Sequence, residues 1–178
     1  MSYYKSNKSP IFKVVIFGDN EKAKGNFVKH IAGHFNAPSG VGVEFFTEDA
    51  DIDGERAHLQ LWDVGTSERS REMWPTCVLG ARGGIFVYDV SLPESFAGID
   101  VYLRLMQDKL GHIPVAIVGM KKSEADEVLV AESTIAAKVQ EYDNFDFFQA
   151  SVTTREEAKG VTDIMARRML QQYREGEN

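Results

Sequence analysis

Short runs rich in β-branched and aromatic residues alternate along this chain with segments whose apolar residues recur at helical spacing. Four of these runs lie at residues 11–17, 84–90, 113–119 and 145–150. Runs that are apolar throughout are typical of strands buried on both faces, as in parallel sheets whose strands are joined by crossover helices. The alternation therefore predicts an α/β domain with three layers, a mostly parallel sheet and helices on both of its faces.

A hairpin completes this sheet. Asp53-Gly54, a strong signal for a short turn, separates strand-like residues 43–52 from an alternating run at 56–62. The sheet is then expected to have six strands, one of them an antiparallel hairpin strand. Helical spacing predicts the helices, which fall at residues 24–35, 93–109, 128–142 and 155–173. We assign residues 1–10 to a flexible N-terminal segment and 11–175 to a single domain.

Charge and composition narrow the classes of function. A formal net charge of −7 argues against nucleic-acid binding, which needs a basic surface to displace counterions from phosphates. Cys77 is the single cysteine of the 178 residues, which fits a reducing cytoplasm. The apolar runs are too short to span a bilayer, and neither end of the sequence carries a lipidation signal. We therefore expect a cytoplasmic protein with no direct membrane anchor.

Polar residues and glycines gather where the predicted strands end. Gly18, Asp63, Gly119 and Ser151 fall at or just after strand ends. Ligands of parallel α/β sheets bind beyond the carboxyl ends of the strands, so this edge is the expected ligand site. Because turns also occur at strand ends, each of these residues taken alone is equally consistent with a plain turn.

The order and spacing of several motifs resemble the Ras superfamily of small GTPases, in particular its Rab-like branch, over about residues 11–173. The matching stretches are FKVVIFGD, GVEFF, DGERAHLQLWD, ERSREM, GARGGIFVYDVSLPESF, IPVAIVG and FDFFQAS. The resemblance implies a P-loop GTPase-like domain that binds GTP or GDP with magnesium and offers two switch segments to partner proteins.

The phosphate-binding loop of that family resembles GxxxxGK followed by Ser or Thr. Here Lys24 keeps the place of the lysine, Ala23 replaces the second glycine, and Gly25 replaces the hydroxyl residue that would bind magnesium. Glu21 adds a carboxylate that would repel a polyphosphate. The nucleotide-contacting residues implied by the resemblance in this loop are Gly18, Asp19, Asn20, Glu21, Lys22, Ala23, Lys24, Gly25 and Asn26.

The magnesium ligands are also changed. The threonine of the first switch is replaced by Gly40, next to Ser39, which would substitute only if the loop slipped by one residue. Asp63 matches the metal-organising aspartate of the family. With both hydroxyl ligands missing, Asp63 is expected to hold magnesium weakly, through water.

The hydrolysis and base-recognition motifs differ from the family pattern as well. Ser67 stands in place of the glutamine that orients the attacking water, so we expect very slow or no hydrolysis. Lys121 is kept in the guanine-binding motif, whereas Ser123 replaces its aspartate, and this should remove most of the preference for guanine. The last base-site turn is matched by Ser151, Val152 and Thr153.

A partner-binding face is the feature that the resemblance leaves most intact. Phe45 and Trp62 match two members of the aromatic patch through which Rab-like proteins bind effectors, and Cys77 takes the place of a third. Trp74 would enlarge that surface. For Phe45 and Trp62 a core position is as consistent with the sequence as an interface position, because aromatic residues serve both.

Two functions follow from these residues. The leading one is a pseudo-GTPase, a GTPase-like domain that acts as a regulatory or protein-interaction module with impaired GTP binding and little or no hydrolysis. Its partner would be a protein effector or regulator bound at the switch-like face, and no tightly bound cofactor is expected. The alternative is an atypical GTPase that still binds GTP or GDP with Mg²⁺ and hydrolyses GTP slowly.

Overall fold

A computed structural model of the chain describes residues 9–33 and 42–176. The strands are β1 (Ile11–Phe17), β2 (Val43–Ile52), β3 (Glu55–Val64), β4 (Gly83–Asp89), β5 (Ile113–Met120) and β6 (Phe145–Val152). The helices are α1 (Glu21–Ala32), α2 (Glu68–Arg71), α3 (Trp74–Cys77), α4 (Glu94–Ala97), α5 (Ile99–Lys109), α6 (Glu132–Val139) and α7 (Arg155–Gly176).

The strands form one sheet in the order β2-β3-β1-β4-β5-β6. Strands β2 and β3 pair antiparallel, and the other neighbours pair parallel. Asp53 and Gly54 join β2 to β3 with φ angles of 56° and 83°. Positive φ at both positions is what a tight hairpin of this twist requires. The predicted α/β class, six-stranded sheet and hairpin are confirmed.

Apolar side chains cover both faces of the sheet. On one face, α1 and α7 pack through Phe27, Val161 and Met165. On the other, α3, α5 and α6 pack through Trp74, Leu103 and Ile135. Strands β4 and β5 are buried on both sides almost throughout, as their continuous apolar sequences predict.

Helix α1 begins earlier and ends earlier than the periodicity predicts. Asn20 caps its first turn, since the side-chain Oδ1 accepts a hydrogen bond of 2.9 Å from the N–H of Ala23. At the other end Gly33 has a φ of 73° and donates its N–H to the carbonyl of Lys29, which stops the helix. The predicted end at Phe35 lies outside the described residues.

Two other predicted helices are shorter than expected. The segment 93–109 is divided at Gly98 into α4 and α5, and a side chain at position 98 would collide with the carboxylate of Asp19. The segment 128–142 is helical only in α6. Ahead of it, the N–H of Leu129 donates to the carbonyl of Val90, which lays residues 128–131 against the end of β4.

Two further observations concern the N-terminal segment and membrane-spanning helices. Of the predicted N-terminal segment 1–10 the described residues are Ser9 and Pro10, and the Pro10 carbonyl accepts a hydrogen bond from His58 N–H. In the parts of the chain that the structure describes, no helix has the length and apolar character needed to cross a bilayer.

Gly18 is expected to tolerate no side chain. A Cβ atom at Gly18 would lie 2.3 Å from the backbone carbonyl oxygen of Val87 in β4. Gly18→Ala should therefore destabilise the fold by about 1–3 kcal/mol, measured by urea unfolding. Gly160→Ala in α7 is the control, because its Cβ would meet open space and alanine favours helix, so it should stabilise by about 0.5–1 kcal/mol. An unchanged midpoint for Gly18→Ala would contradict this packing.

Candidate functional site

The carboxyl ends of the parallel strands place several of the predicted site residues along one edge of the sheet. Gly18 follows β1 directly, Lys121 follows β5, and Asp63 is the penultimate residue of β3. The strand register sets Ile16 beside Asp63 and Gly119 beside Ser151. Helix α1 begins at this edge and brings Glu21 and Lys24 to it.

Lys24 has a fully buried side chain whose charge is satisfied within the protein. Its Nζ lies 2.7 Å from Asp63 Oδ1 and donates a hydrogen bond of 2.7 Å to the carbonyl of Val64. A second carboxylate, that of Glu21, lies 3.4 Å away through Oε2. Lys24 therefore joins α1 to the end of β3, and its ammonium group is closed off from solvent.

Glu21 lies in the first turn of α1 and faces the loop that follows β3. Its Oε1 accepts hydrogen bonds from the N–H of Thr66 at 2.9 Å and from Thr66 Oγ1 at 2.5 Å. Burial by itself raises the pKa of Glu21, but the hydrogen bonds from Thr66 and the charge of Lys24 outweigh burial and hold that pKa below its ordinary value. Glu21 is therefore ionised at neutral pH.

Asp63 is almost completely buried beside Lys24. Burial raises the pKa of Asp63, the ammonium of Lys24 opposes that rise, and the negative charge of Glu21 adds to it. Its Oδ2 is buried without a hydrogen-bond partner. Within residues 9–33 and 42–176 no group of three or more His, Cys, Asp or Glu side chains is placed to hold a metal ion.

The loop after β3 is held from several sides. The N–H of Gly65 donates to the carbonyl of Gly42 at 3.0 Å, and the Gly65 carbonyl accepts from the indole N–H of Trp74 at 3.0 Å. Ser67, predicted at the catalytic position, instead caps α2, where its Oγ accepts from the N–H of Ser70. The hydroxyl oxygens of Ser67 and Ser70 lie 2.8 Å apart. The Ser67 hydroxyl is thus engaged locally.

Asp19, a predicted loop residue, points toward α5. The hydroxyl of Tyr102 donates to Asp19 Oδ1 at 2.6 Å, and Arg71 lies 3.8 Å from the same oxygen. Burial and then this hydrogen bond to Asp19 raise the pKa of the Tyr102 hydroxyl far above its ordinary value. The side chain of Asp19 therefore fixes α5 against the loop.

Two of the predicted base-recognition residues, Lys121 and Thr153, line a cavity of about 420 Å³ together with Asn26 of α1. Ser123 does not line it, and its Oγ donates to Asp126 at 3.1 Å. The N–H of Thr153 donates to Glu157 Oε2 at 2.7 Å. The Ser123 hydroxyl and the Thr153 N–H therefore already have hydrogen-bond partners within the protein.

The structure divides the predicted partner face. Phe45 is 63% exposed, and its ring packs edge-on against that of Trp62 with centroids 4.6 Å apart. The ammonium of Lys13 lies 3.3 Å from the centroid of the Trp62 ring. Trp74 and Cys77, by contrast, are each only 4% exposed and belong to the core beneath α3. The expectations that Trp74 enlarges this surface and that Cys77 takes the place of its third member are therefore wrong.

Two contributors to this edge were not singled out from the sequence. Thr66 stands three residues after Asp63, but its hydrogen bonds to Glu21 depend on the fold of a distant segment. Tyr102 shows only helical periodicity in sequence. Ser39 and Gly40, expected near the metal position, lie outside the described residues.

The fold, the glycine turn after β1 and the lysine of α1 define a P-loop-type α/β domain. Residues 13–171 match the model of the Ras family. The chain is 31% identical to the Ras-related protein RABA1b of Arabidopsis thaliana over 168 residues, which cover 92% of this chain and 76% of that protein. It is 29% identical to the Ras-related protein Rab-7a of Paramecium octaurelia over 167 residues, with coverage of 89% and 78%. This chain belongs to the Ras family of small GTPases, with distant Rab-related homologues.

Lys24 is expected to stabilise the fold in the absence of any nucleotide. Lys24→Met leaves Asp63 as an uncompensated buried carboxylate, so we expect a loss of about 3–5 kcal/mol in urea unfolding of nucleotide-free protein. Adding Asp63→Asn removes that charge and should recover a large part of the loss. A Lys24→Met variant as stable as the unsubstituted protein would contradict the buried ion pair.

Phe45 and its neighbour Phe46 offer a matched pair on β2. Phe46 points to the opposite face of the sheet and packs against the core formed with α1 and α7. We expect Phe46→Ala to cost about 2–3 kcal/mol and Phe45→Ala about 1 kcal/mol, the latter mainly from the lost contact with Trp62. Thermal unfolding of the two variants measures this. Equal losses would show that Phe45 is a core residue.

Proposed function

We propose that this Ras-family domain is a pseudo-GTPase that acts as a protein-interaction or regulatory module, with impaired GTP binding and little or no GTP hydrolysis. The observation that carries the proposal is the state of Lys24. Its ammonium is fully buried and bonded to Asp63 and to the Val64 carbonyl, with Glu21 as a further neighbour. In a phosphate-binding loop the lysine must be available to the phosphates, and here it is engaged within the protein.

Local charge also opposes a triphosphate. Lys24 is surrounded by the carboxylates of Glu21 and Asp63, so this cluster of three charged side chains does not carry a net positive charge when both acids are ionised. A polyphosphate would bring further negative charge into contact with Glu21. Coulomb repulsion at such distances is worth several kcal/mol in a partly buried site.

The residues present also do not fit a magnesium ion of the kind that accompanies GTP. Gly25 has no side-chain oxygen, and Asp63 Oδ1 is already bonded to Lys24. Magnesium prefers six oxygen ligands in near-octahedral geometry, several of them commonly water. Among residues 9–33 and 42–176, this edge offers the ion little beyond Asp63 Oδ2, so we derive no catalytic step through magnesium.

Selectivity for guanine and the rate of GTP hydrolysis are both expected to be low, because the side chains concerned are short and already hydrogen-bonded. Ser123 is bonded to Asp126 and is too short to accept two hydrogen bonds from a guanine edge. Ser67 caps α2 and cannot orient a water molecule as the longer glutamine amide does. We infer that nucleotide turnover is not the function of this domain.

A protein partner is the ligand that the exposed features favour. Phe45 presents a large aromatic surface to solvent, and aromatic side chains are enriched where proteins bind one another. Trp62 and Lys13 extend that surface across β3 and β1. We propose that an effector or regulator protein binds there.

One observation favours the competing function, a slow GTPase. The side chain of Glu21 is 36% exposed, so it has a route toward solvent that would leave Lys24 with one carboxylate fewer. A nucleotide that displaced Glu21 would then regain part of the usual contact with Lys24.

The nucleotide content of the purified protein separates the two functions. We expect less than about one-tenth of a molar equivalent of guanine nucleotide in the supernatant after denaturation. We also expect no rise in Tm with submillimolar GTP and Mg²⁺, because a ligand that binds only the native state must raise stability with the logarithm of its concentration. Near-stoichiometric GDP or GTP would establish the slow GTPase instead.

A restored variant provides the positive control. Gly25→Thr, Gly40→Thr, Met120→Asn and Ser123→Asp together supply the missing ligands, and Glu21→Ala removes the carboxylate beside Lys24. We expect this fivefold variant to show a GTP-dependent rise in Tm, and the variant without Glu21→Ala to show a smaller one.

A further inference from the structure

We propose that the carboxylate of Glu21 is an internal anion that fills the anion site formed by Lys24 and Thr66, and that it thereby holds the loop after β3 without a bound ligand. This inference rests on the proposed function in one respect, namely that a partner protein binds the face beside this loop. The anion site itself is defined by the contacts of three residues.

The contacts of Glu21 are those of a bound anion. Oε1 of Glu21 accepts two hydrogen bonds from Thr66, one from the backbone N–H at 2.9 Å and one from the hydroxyl at 2.5 Å. The other oxygen lies 3.4 Å from the ammonium of Lys24. Charge-assisted hydrogen bonds of this kind are about twice as strong as neutral ones. A carboxylate is therefore bound by one cation and two directed donors, all supplied by the chain.

Helix α1 presents this carboxylate from a favourable position. Glu21 is its first residue, next to the Asn20 cap, so the charge lies at the positive end of the helix dipole. The carboxylate thereby links α1 to a loop that is 45 residues away in sequence. A phosphate accepts hydrogen bonds from the same kinds of donor as a carboxylate, so an external phosphate would compete with Glu21 for Lys24 and Thr66.

Other contacts complete the attachment of the loop. Gly65 donates a hydrogen bond to the Gly42 carbonyl and accepts one from the Trp74 indole. The Thr66 carbonyl accepts a hydrogen bond of 3.1 Å from Arg71 Nε. These contacts join the loop to the start of β2 and to the α2–α3 segment. Among the hydrogen bonds of the described residues, those between Thr66 and Glu21 join residues 65–67 to α1, while Lys24 holds the preceding Val64 carbonyl. Removing Glu21 should loosen the loop and leave the sheet intact.

The consequence is a partner face whose shape does not depend on nucleotide. The loop leads directly into α2 and α3, beside the strand that carries Trp62. With Glu21 in place, this segment has one conformation whether or not GTP is present. Binding of a partner would then depend on the concentration of the protein and not on its nucleotide state.

Hydrogen exchange of the full chain, freed of nucleotide, tests the inference. We expect amides of residues 64–72 to exchange about tenfold or more faster in Glu21→Ala than in the unsubstituted protein, since a hydrogen bond to a charged group is lost. Amides of β5 serve as the internal reference and should not change. Glu156→Ala is the matched control, because Glu156 is also an acid in the first turn of a helix, α7, but is exposed where Glu21 is half-buried.

Chemical rescue distinguishes an anion site from a general structural role. Sodium formate should restore the slow exchange of residues 64–72 in Glu21→Ala, whereas sodium chloride at the same ionic strength should not. Inorganic phosphate should act in the same direction if the site takes a phosphate as well as a carboxylate. Formate should have no effect on the unsubstituted protein or on Glu156→Ala.

The outcomes are separable from those of the nucleotide assay. Equal exchange in Glu21→Ala and the unsubstituted protein, or an accelerated exchange that formate does not reduce, would overturn the inference. If Glu21→Ala does not fold, Thr66→Val serves instead, with faster exchange of residues 64–72 expected, and unchanged exchange overturning the inference. Bound GDP in the purified protein would overturn the proposed function, while Glu21-dependent protection after its removal would still support the internal anion.

Discussion

The buried ammonium of Lys24 is the interaction on which the rest of this edge depends. A charge with no exposure to solvent requires compensation, and the chain provides it from Asp63, the Val64 carbonyl and Glu21. These partners come from the end of β3 and from α1 itself. The same contacts that keep the lysine buried also fix the first turn of α1 against the sheet, so the charge is part of the structural core of the domain.

The sheet and its helices could be predicted from sequence because each depends on local patterns. The continuous apolar runs of β4 and β5 predict buried strands, and Asp53-Gly54 predicts the hairpin. The errors lie at helix ends, where single residues decide, as the Asn20 cap and the positive φ of Gly33 do for α1. The need for glycine at position 98, where a Cβ would collide with the Asp19 carboxylate, is likewise not encoded by any periodicity in 93–109.

The site was less predictable for the same reason. The resemblance to small GTPases identified Lys24, Asp63 and Glu21 as residues of one site, and the charge of Glu21 predicted that it would disfavour phosphate. The sequence could not show that Glu21 bonds to Thr66, because that contact joins two segments far apart in the chain. Nor could it separate Phe45, which is exposed, from Trp74 and Cys77, which are buried, since aromatic and small apolar residues occupy both environments.

The state of the Lys24 ammonium is the most direct test of this account. Nuclear magnetic resonance of ¹⁵N-labelled, nucleotide-free protein detects lysine ammonium groups when burial and hydrogen bonding slow their exchange with water. We predict a protected ammonium resonance that Lys24→Met removes and that millimolar GTP with Mg²⁺ leaves unchanged. A Lys24 ammonium that exchanges as fast as the surface lysines, or a resonance that shifts when GTP is added, would contradict the central claim.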